Sequence, residues 1–286
     1  MKATILSRAN SVAIVPDMRR PGWLLIALVL LVACQGVNAN NESDKPWRTP
    51  EMKRVRSPAE FERQIQPLIG AVKQPKVIFI GVYGGNPPPW ENAAWFDPQL
   101  WSPYREVDLE NETELNRIAY HDSLMHVVAL HIGKLFPNNL TLMIQGDSDV
   151  VSDIIKLIYA RGDRLFLAGH SFGGRVIGEV ARDLARKSIP VEMVAYIESF
   201  WSSGVIPANV RQAFNFYVPI SFAVCPGLNA IKAEDERATR VINIAVPNPI
   251  GPYNGFCAEH RNIDSEPRAW KPLVEYLKLQ AAPTIQ

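Results

Sequence analysis

Ser171 has the surroundings that a nucleophilic serine requires. It stands in Gly169-His170-Ser171-Phe172-Gly173, directly after an apolar run and directly before a helical pattern. A turn this tight leaves no room for side chains two residues before and after the serine, so glycine is needed at both positions. The hydroxyl would lie at a helix N-terminus, where backbone N–H groups and the helix dipole stabilise a developing oxyanion. The spacing therefore predicts covalent catalysis through Ser171.

A serine nucleophile needs a general base, which is most often a histidine. The chain has five histidines, and His170 is too close to Ser171 along the chain to turn back and accept its proton. Three more lie in a helix-like stretch, residues 112–136, at a spacing of five that places them on different faces and predicts no metal site: His121, His126 and His131. His260, in a late loop rich in Pro, Gly and Asn, is the predicted base by position and by elimination.

Glu198 is the carboxylate that we expect to orient this base. It follows a predicted strand at residues 191–197, and side chains at the carboxyl ends of parallel strands face the ligand. A carboxylate there would accept the second imidazole N–H of His260, fix the tautomer and stabilise the imidazolium. Other carboxylates remain as alternatives, either before the last strand or just after His260: Glu234, Asp235, Glu236 and Asp264.

Apolar and helical patterns place these residues on regular elements. Strands are predicted at residues 140–144, 165–168, 191–197 and 241–246, and a final helix at 267–279. Asp147 or Ser148 is expected to cap a helix that runs to Ala160. Ser57-Pro58-Ala59-Glu60 has capping-box spacing with proline at the first helical position, so the folded domain is predicted to span residues 57–286.

The order of serine, acid and histidine resembles the α/β-hydrolase superfamily over roughly residues 75–280. Within it, the chain is similar to lipase- and thioesterase-like bacterial hydrolases whose acid follows the strand after the serine. Three segments carry this resemblance: residues 76–81, with the loop after them, residues 197–200 and residues 260–264. Glutamate replaces the usual aspartate at position 198, and Gly81-Val82-Tyr83-Gly84-Gly85 replaces the usual His-Gly oxyanion dipeptide.

The resemblance implies an α/β-hydrolase fold with a mostly parallel central sheet and helices on both faces. It implies hydrolysis of an acyl ester or thioester by Ser171, His260 and Glu198, with no metal and no organic cofactor. The oxyanion would be held by the backbone N–H groups of Phe172 and Val82. An amidase or peptidase would use the same three residues. A non-catalytic envelope lipoprotein that binds a ligand on this fold is the other alternative, although such a scaffold has no need of all three.

An aromatic segment, residues 86–104, directly follows the predicted oxyanion loop. It contains three consecutive prolines and five aromatic residues and has no clear period. One interpretation is a wall or lid over an apolar acyl group. The other is a surface loop whose aromatic side chains cover the core.

The first 33 residues are predicted to be a signal peptide. The apolar run at residues 23–33 follows two arginines and is too short to span a bilayer. Its end, Leu31-Val32-Ala33-Cys34, resembles the lipobox of bacterial lipoproteins. That resemblance implies lipidation of Cys34, a polar tether at residues 34–56 and attachment to the bacterial cell envelope.

Gln35 follows the cysteine, which in bacterial lipoproteins indicates the periplasmic face of the outer membrane. Translation from Met18 instead of Met1 would give a signal of ordinary length. A plain cleaved signal or an uncleaved anchor is the alternative to a lipoprotein.

Cysteine use and charge limit the compartment and the partners. Export leads to an oxidising compartment, where Cys225 and Cys257 are expected to form a disulfide; two buried free thiols are the alternative. The whole chain has a formal charge of +1. Four basic residues and one acidic residue precede Cys34, so the processed chain would have a charge of −2. This balance predicts no basic patch and no nucleic-acid partner.

Overall fold

A computed structural model describes residues 52–85, 88–100, 107–200, 203–219, 227–254 and 257–282. These ranges belong to one compact unit, Asn41–Gln286. The predictions about residues 1–33, Cys34 and Cys225 lie outside the described residues and stay predictions. Within the described ranges, no helix combines the length and the hydropathy that a membrane span requires.

The described strands form one eight-stranded sheet in the spatial order β1-β3-β4-β2-β5-β6-β8-β10, and a separate parallel pair, β7 and β9. The strands are β1 (Lys53–Val55), β2 (Val77–Val82), β3 (Ala93–Phe96), β4 (Asn139–Gln145), β5 (Arg164–His170), β6 (Val191–Ile197), β7 (Val205–Ile206), β8 (Val210–Tyr217), β9 (Lys232–Ala233) and β10 (Arg240–Ala245). Strand β3 runs antiparallel to β1 and β4, while the pairs from β4 to β10 are parallel.

Helices cover both faces of this sheet. They are α1 (Pro58–Ala71), α2 (Glu112–His121), α3 (Leu124–Leu135), α4 (Ser148–Ile158), α5 (Phe172–Arg186), α6 (Ala258–Asn262) and α7 (Pro267–Ala281). One apolar cluster packs α1, α4 and α5 against the sheet, and a second packs α2, α3 and α7 against it. The predicted α/β fold, with a mostly parallel central sheet and helices on both faces, is confirmed.

Local capping signals account for most helix starts. The Ser57 hydroxyl accepts the Glu60 N–H at 3.2 Å, and the Asp147 carboxylate accepts the first N–H groups of α4. The helix-like stretch at residues 112–136 is two helices and not one. The chain breaks at Ser123, which is extended and caps α3 by accepting the Met125 N–H at 3.1 Å.

The aromatic segment after β2 contains a strand that the sequence pattern did not predict. Trp95 lies in β3, is fully buried, and packs edge-on against Phe61 of α1 with ring centroids 5.5 Å apart. Its indole N–H donates to Gln64 Oε1 at 2.9 Å. This part of the segment therefore covers the core, in agreement with the second interpretation, while residues 86–87 and 101–106 lie outside the described residues.

Candidate functional site

Ser171 occupies a strained turn between β5 and α5. Its backbone has φ 56° and ψ −122°, a conformation that L-residues rarely adopt, and it is the N-terminal cap residue of α5. The Ser171 N–H donates to Ile197 O at 2.9 Å, so the turn is tied to the end of β6. The strain holds the serine side chain above the carboxyl ends of the strands, at the positive end of a helix dipole.

Close backbone packing explains the glycines around the serine. A Cβ on Gly169 would lie 2.3 Å from Gly173 O, and a Cβ on Gly173 would lie 2.1 Å from Val82 O. Neither distance is compatible with a side chain, so both predicted glycine positions are required by this turn. Gly84 is a third such position, because a Cβ there would lie 2.9 Å from the Ser171 Cβ.

Ser171 and His260 form the central contact of the site. His260 Nε2 lies 2.9 Å from Ser171 Oγ, although the two residues are 89 positions apart in the sequence. Both side chains are buried. Burial lowers the pKa of His260 well below its usual range, and the nearby His170 and Arg261 lower it further. The imidazole is therefore neutral near pH 7, as a general base must be to accept the serine proton.

Aromatic contacts surround the His260 ring. Phe200 stacks on it with centroids 4.3 Å apart and planes 26° apart. The His170 ring lies on another side, with centroids 5.2 Å apart. His260 Nδ1 is buried and has no hydrogen-bond partner among the described residues. The structure thus fixes one nitrogen of the ring on the serine and leaves the other for an orienting group.

Glu198 lies directly beyond β6, as the sequence predicts, but the described hydrogen bonds do not join it to His260. Its Oε2 accepts the Val218 N–H at 2.6 Å and its Oε1 accepts the Gly227 N–H at 3.1 Å. Its backbone is in the left-handed region, with φ 45°. Burial raises the pKa of this carboxyl to about 7, against the opposing effect of the two N–H donors. The role of Glu198 as the orienting acid stays a prediction.

The rival carboxylates also have other partners. Asp264 accepts the Ser123 hydroxyl at 3.0 Å, and burial raises its pKa to about 6. Asp235 accepts the backbone N–H of Arg237 at 2.9 Å, and Glu234 and Glu236 are exposed. Among the described residues, none of the four is hydrogen-bonded to His260 Nδ1.

The two predicted oxyanion donors are placed differently. Phe172 is the first residue of α5, directly behind the serine. Val82 is the last residue of β2 and pairs in register with both Ile144 and Gly169. Of the loop that follows β2, Gly84 is the residue packed against the Ser171 Cβ. Gly84 and Gly85 follow β2 after one intervening residue, Tyr83.

His126 and His131 have structural partners. His126 Nε2 is hydrogen-bonded to the Tyr83 hydroxyl, and His131 Nδ1 lies 2.9 Å from Val127 O. The His121 side chain lies outside the described part of the structure. Within the described ranges, no group of three or more His, Cys, Asp and Glu side chains is arranged to hold a metal ion.

Comparison with known proteins gives a distant structural likeness. No protein-family model matches the sequence, and no curated protein matches it. Among solved structures, the chain is similar to RedJ, whose structure has a PEG molecule bound in the active site. The two share 11% identity over 85% of this chain and 98% of RedJ, with a TM-score of 0.38. A likeness this low transfers no function, so the chemistry must be inferred from the site itself.

Proposed function

We propose that the protein is a serine hydrolase that cleaves an acyl ester or thioester through a covalent acyl-enzyme. The observation that carries this proposal is the 2.9 Å contact between His260 Nε2 and the Oγ of Ser171 on its strained turn. A nucleophile, a neutral base within hydrogen-bond reach and a helix N-terminus meet at one point.

Acylation begins when Ser171 Oγ attacks the carbonyl carbon of the substrate while its proton moves to His260 Nε2. The carbonyl oxygen becomes an oxyanion beside the N-terminus of α5, where the backbone N–H groups of Phe172 and Val82 are proposed to bind it. When the tetrahedral intermediate collapses, the bond to the leaving oxygen or sulfur breaks and His260 returns the proton to that atom. Ser171 then carries the acyl group as an ester.

Deacylation repeats these steps with water. His260 Nε2 accepts a proton from the water as its oxygen attacks the acyl carbon, and the bond to Ser171 Oγ breaks. The proton passes from His260 to Ser171 Oγ, which restores the free enzyme and releases a carboxylic acid. Each step uses side chains of this chain and water.

Glu198 is proposed to orient His260 during this cycle. It is adjacent to Ile197, whose carbonyl accepts the Ser171 N–H, so its backbone is tied to the nucleophile turn. The two backbone N–H donors occupy one acceptor position on each carboxylate oxygen, so the carboxylate can still accept the proton of His260 Nδ1. An imidazole held at both nitrogens would present Nε2 to the serine in the correct tautomer.

We propose that the enzyme is attached to the bacterial cell envelope and meets its substrate there. This proposal rests on the lipobox-like sequence that ends in Cys34, since lipidation there would keep the enzyme at a membrane surface. Cys34→Ser should release the protein from the membrane fraction or block its processing. A Cys34→Ser protein that fractionates and migrates on a gel as the wild type does would contradict lipid attachment.

The function is tested by hydrolysis of p-nitrophenyl esters of graded acyl length. The wild-type protein should release nitrophenol, and Ser171→Ala should abolish turnover. Ser203→Ala is the matched control, because Ser203 is exposed and bonds to Arg182 away from the site. Absence of turnover on every ester and on matched thioesters and amides would contradict hydrolysis and favour a ligand-binding module.

A further inference from the structure

We infer that His170 and Asp264 are positioning residues that hold the His260 backbone against the serine turn. This inference rests on the proposed hydrolase function. His170 directly precedes Ser171, and its Nε2 lies 3.0 Å from the carbonyl oxygen of His260. Because a carbonyl can only accept, His170 Nε2 carries the proton and donates it. The residue before the nucleophile thus holds the main chain of the base.

Asp264 supports His170 from the opposite side. Its Oδ2 lies 3.9 Å from His170 Nδ1, and its Oδ1 accepts the Ser123 hydroxyl at 3.0 Å. The backbone N–H of Leu124 also donates to this carboxylate. Asp264 therefore connects the start of α3 to His170, and His170 connects to His260.

The His260 backbone needs such support because its own element is short. Helix α6 has five residues, and its N-cap residue is Cys257, whose φ is 58°. His260 Nδ1 makes no hydrogen bond to a described residue. The ring is therefore held by the serine contact and by stacking on Phe200, while the hydrogen bond from His170 fixes the main chain behind it.

Titratable and charged groups around His170 and His260 also affect the pKa of His260. His260 faces His170 and Arg261, which both lower its pKa after burial has done so. His170 faces Asp264 and His260, and Asp264 also faces Tyr83, whose pKa is raised by burial, by Asp122 and by Asp264 itself. Replacing the His170 imidazole with a side chain that does not titrate should therefore raise the pKa of His260.

Two substitutions separate the hydrogen bond from the charge. His170→Gln keeps an N–H donor of similar reach without a titratable charge, and His170→Phe removes both. We expect H170Q to keep the plateau kcat within about twofold while the acidic limb of kcat/KM moves to higher pH. We expect H170F to lower the plateau kcat by about tenfold or more with a smaller change in KM, because sub-ångström misplacement of the base is costly.

Asp264→Asn tests whether Asp264 acts through His170. Alone it should lower kcat severalfold, and in the H170F background it should have no further effect, since the two residues form one unit. His131→Gln is the control: it replaces a buried histidine of α3 that stacks on Trp270 and does not contact Ser171 or His260. This variant should leave both kcat and the pH profile unchanged.

Three results would overturn the inference. The first is a wild-type kcat in H170F, and the second is an equal loss of kcat in H170Q and H170F without a shift of the pH profile. The third is that the effects of H170F and D264N on kcat are additive. NMR titration of the His260 ring provides a readout that does not need turnover. An upward shift of its pKa in H170Q, absent in H131Q, supports the coupling, and an unchanged pKa contradicts it. Failure of the hydrolase function itself appears separately, as a wild-type protein without esterase activity.

Discussion

Buried charged groups are paired at the amino end of the central sheet, whereas buried polar groups are partly unpaired at its carboxyl end. At the amino end, Lys76 and Asp163 are fully buried and form an ion pair at 2.7 Å. Asp163 also accepts the backbone N–H groups of Lys76 and Ala160. Every oxygen of this carboxylate has a donor. This carboxylate has no free oxygen for chemistry, and removing either partner would leave the other charge buried and unpaired.

At the carboxyl end, some backbone conformations are unfavourable and some buried polar atoms have no partner among the described residues. Of the five non-glycine residues with positive φ in the described ranges, three are located here: Ser171, Glu198 and Cys257. His260 Nδ1 and Ser199 Oγ are buried without a partner among the described residues. Buried groups of this kind reduce stability and are typical of functional sites. The buried charges at the amino end of the sheet are therefore paired, whereas the carboxyl end keeps unpaired groups and unfavourable backbone conformations beside the proposed site.

The largest expected effect comes from removing the base. His260→Leu should lower kcat for ester hydrolysis by about 10⁴-fold or more, because the serine then has no proton acceptor. The free energy of unfolding should stay the same or rise, since an unpaired buried nitrogen is replaced by an apolar side chain. Steady-state kinetics and urea unfolding measure the two effects. A marked loss of stability would contradict the assignment of strain to this end of the sheet.

A substitution at the amino end of the sheet should reduce stability and leave the activity of the folded protein unchanged. Asp163→Ala leaves the Lys76 ammonium buried and unpaired, and should cost about 3–5 kcal/mol of unfolding free energy. The kcat of the folded fraction should not change, because the pair lies at the far end of the strands from Ser171. Chemical denaturation together with active-site titration would detect both. Unaltered stability would remove the distinction between the two ends.

Glu198→Gln asks whether the acid orients the base. We expect kcat to decrease by about a hundredfold, because an amide can stabilise the wrong imidazole tautomer and cannot stabilise the imidazolium. Glu192→Gln is the matched control on the same strand, since Glu192 is near the amino end of β6 and pairs with Arg211. Comparable kcat values for the two variants would show that the orienting acid is a different residue.

The smallest effect is a pH dependence of stability. The pKa of Glu198 is raised to about 7 in the folded protein, above its ordinary value of 4.5. Such a group contributes stability below about pH 4.5, and that contribution is lost as the pH rises to about 7. Because Gln does not titrate, the stability of E198Q relative to wild type should increase across this interval, by on the order of 1–3 kcal/mol.

Urea unfolding of wild type and E198Q at several pH values measures this difference. Taking the difference cancels the contribution of His260, whose lowered pKa acts with the opposite sign. A difference in stability that does not change with pH would mean that Glu198 is ionised at its ordinary pKa.

The sequence predicts the elements of the site better than their contacts. Ser171 and its glycines form a local motif, and elimination leads to His260, so both could be proposed without a structure. Glu198 directly follows β6, as the strand pattern indicated. Its partners, Val218 and Gly227, are 20 and 29 residues away along the chain, and no local pattern encodes such contacts.

Several strands were not predicted, namely β1, β3, β7, β8 and β9, and the helical stretch at residues 112–136 was not divided. Two of these differences have a clear physical reason. Strand β3 has only four residues inside a proline-rich segment, too few for a period to be recognised. The break between α2 and α3 was missed because Ser123, within an otherwise helical pattern, acts as a cap only once the chain is extended at that point. The contacts of His170 and Asp264 are likewise tertiary and have no sequence signature.

The most direct test of the central claim is covalent labelling with a fluorophosphonate. Such a probe reacts with a serine only when a neighbouring base activates it. Mass spectrometry of the labelled wild-type protein should find one adduct, on the peptide that contains Ser171, and the adduct should be absent from S171A and strongly reduced in H260L. An unlabelled wild-type protein, or an adduct on a serine other than Ser171, would contradict the proposed serine–histidine site.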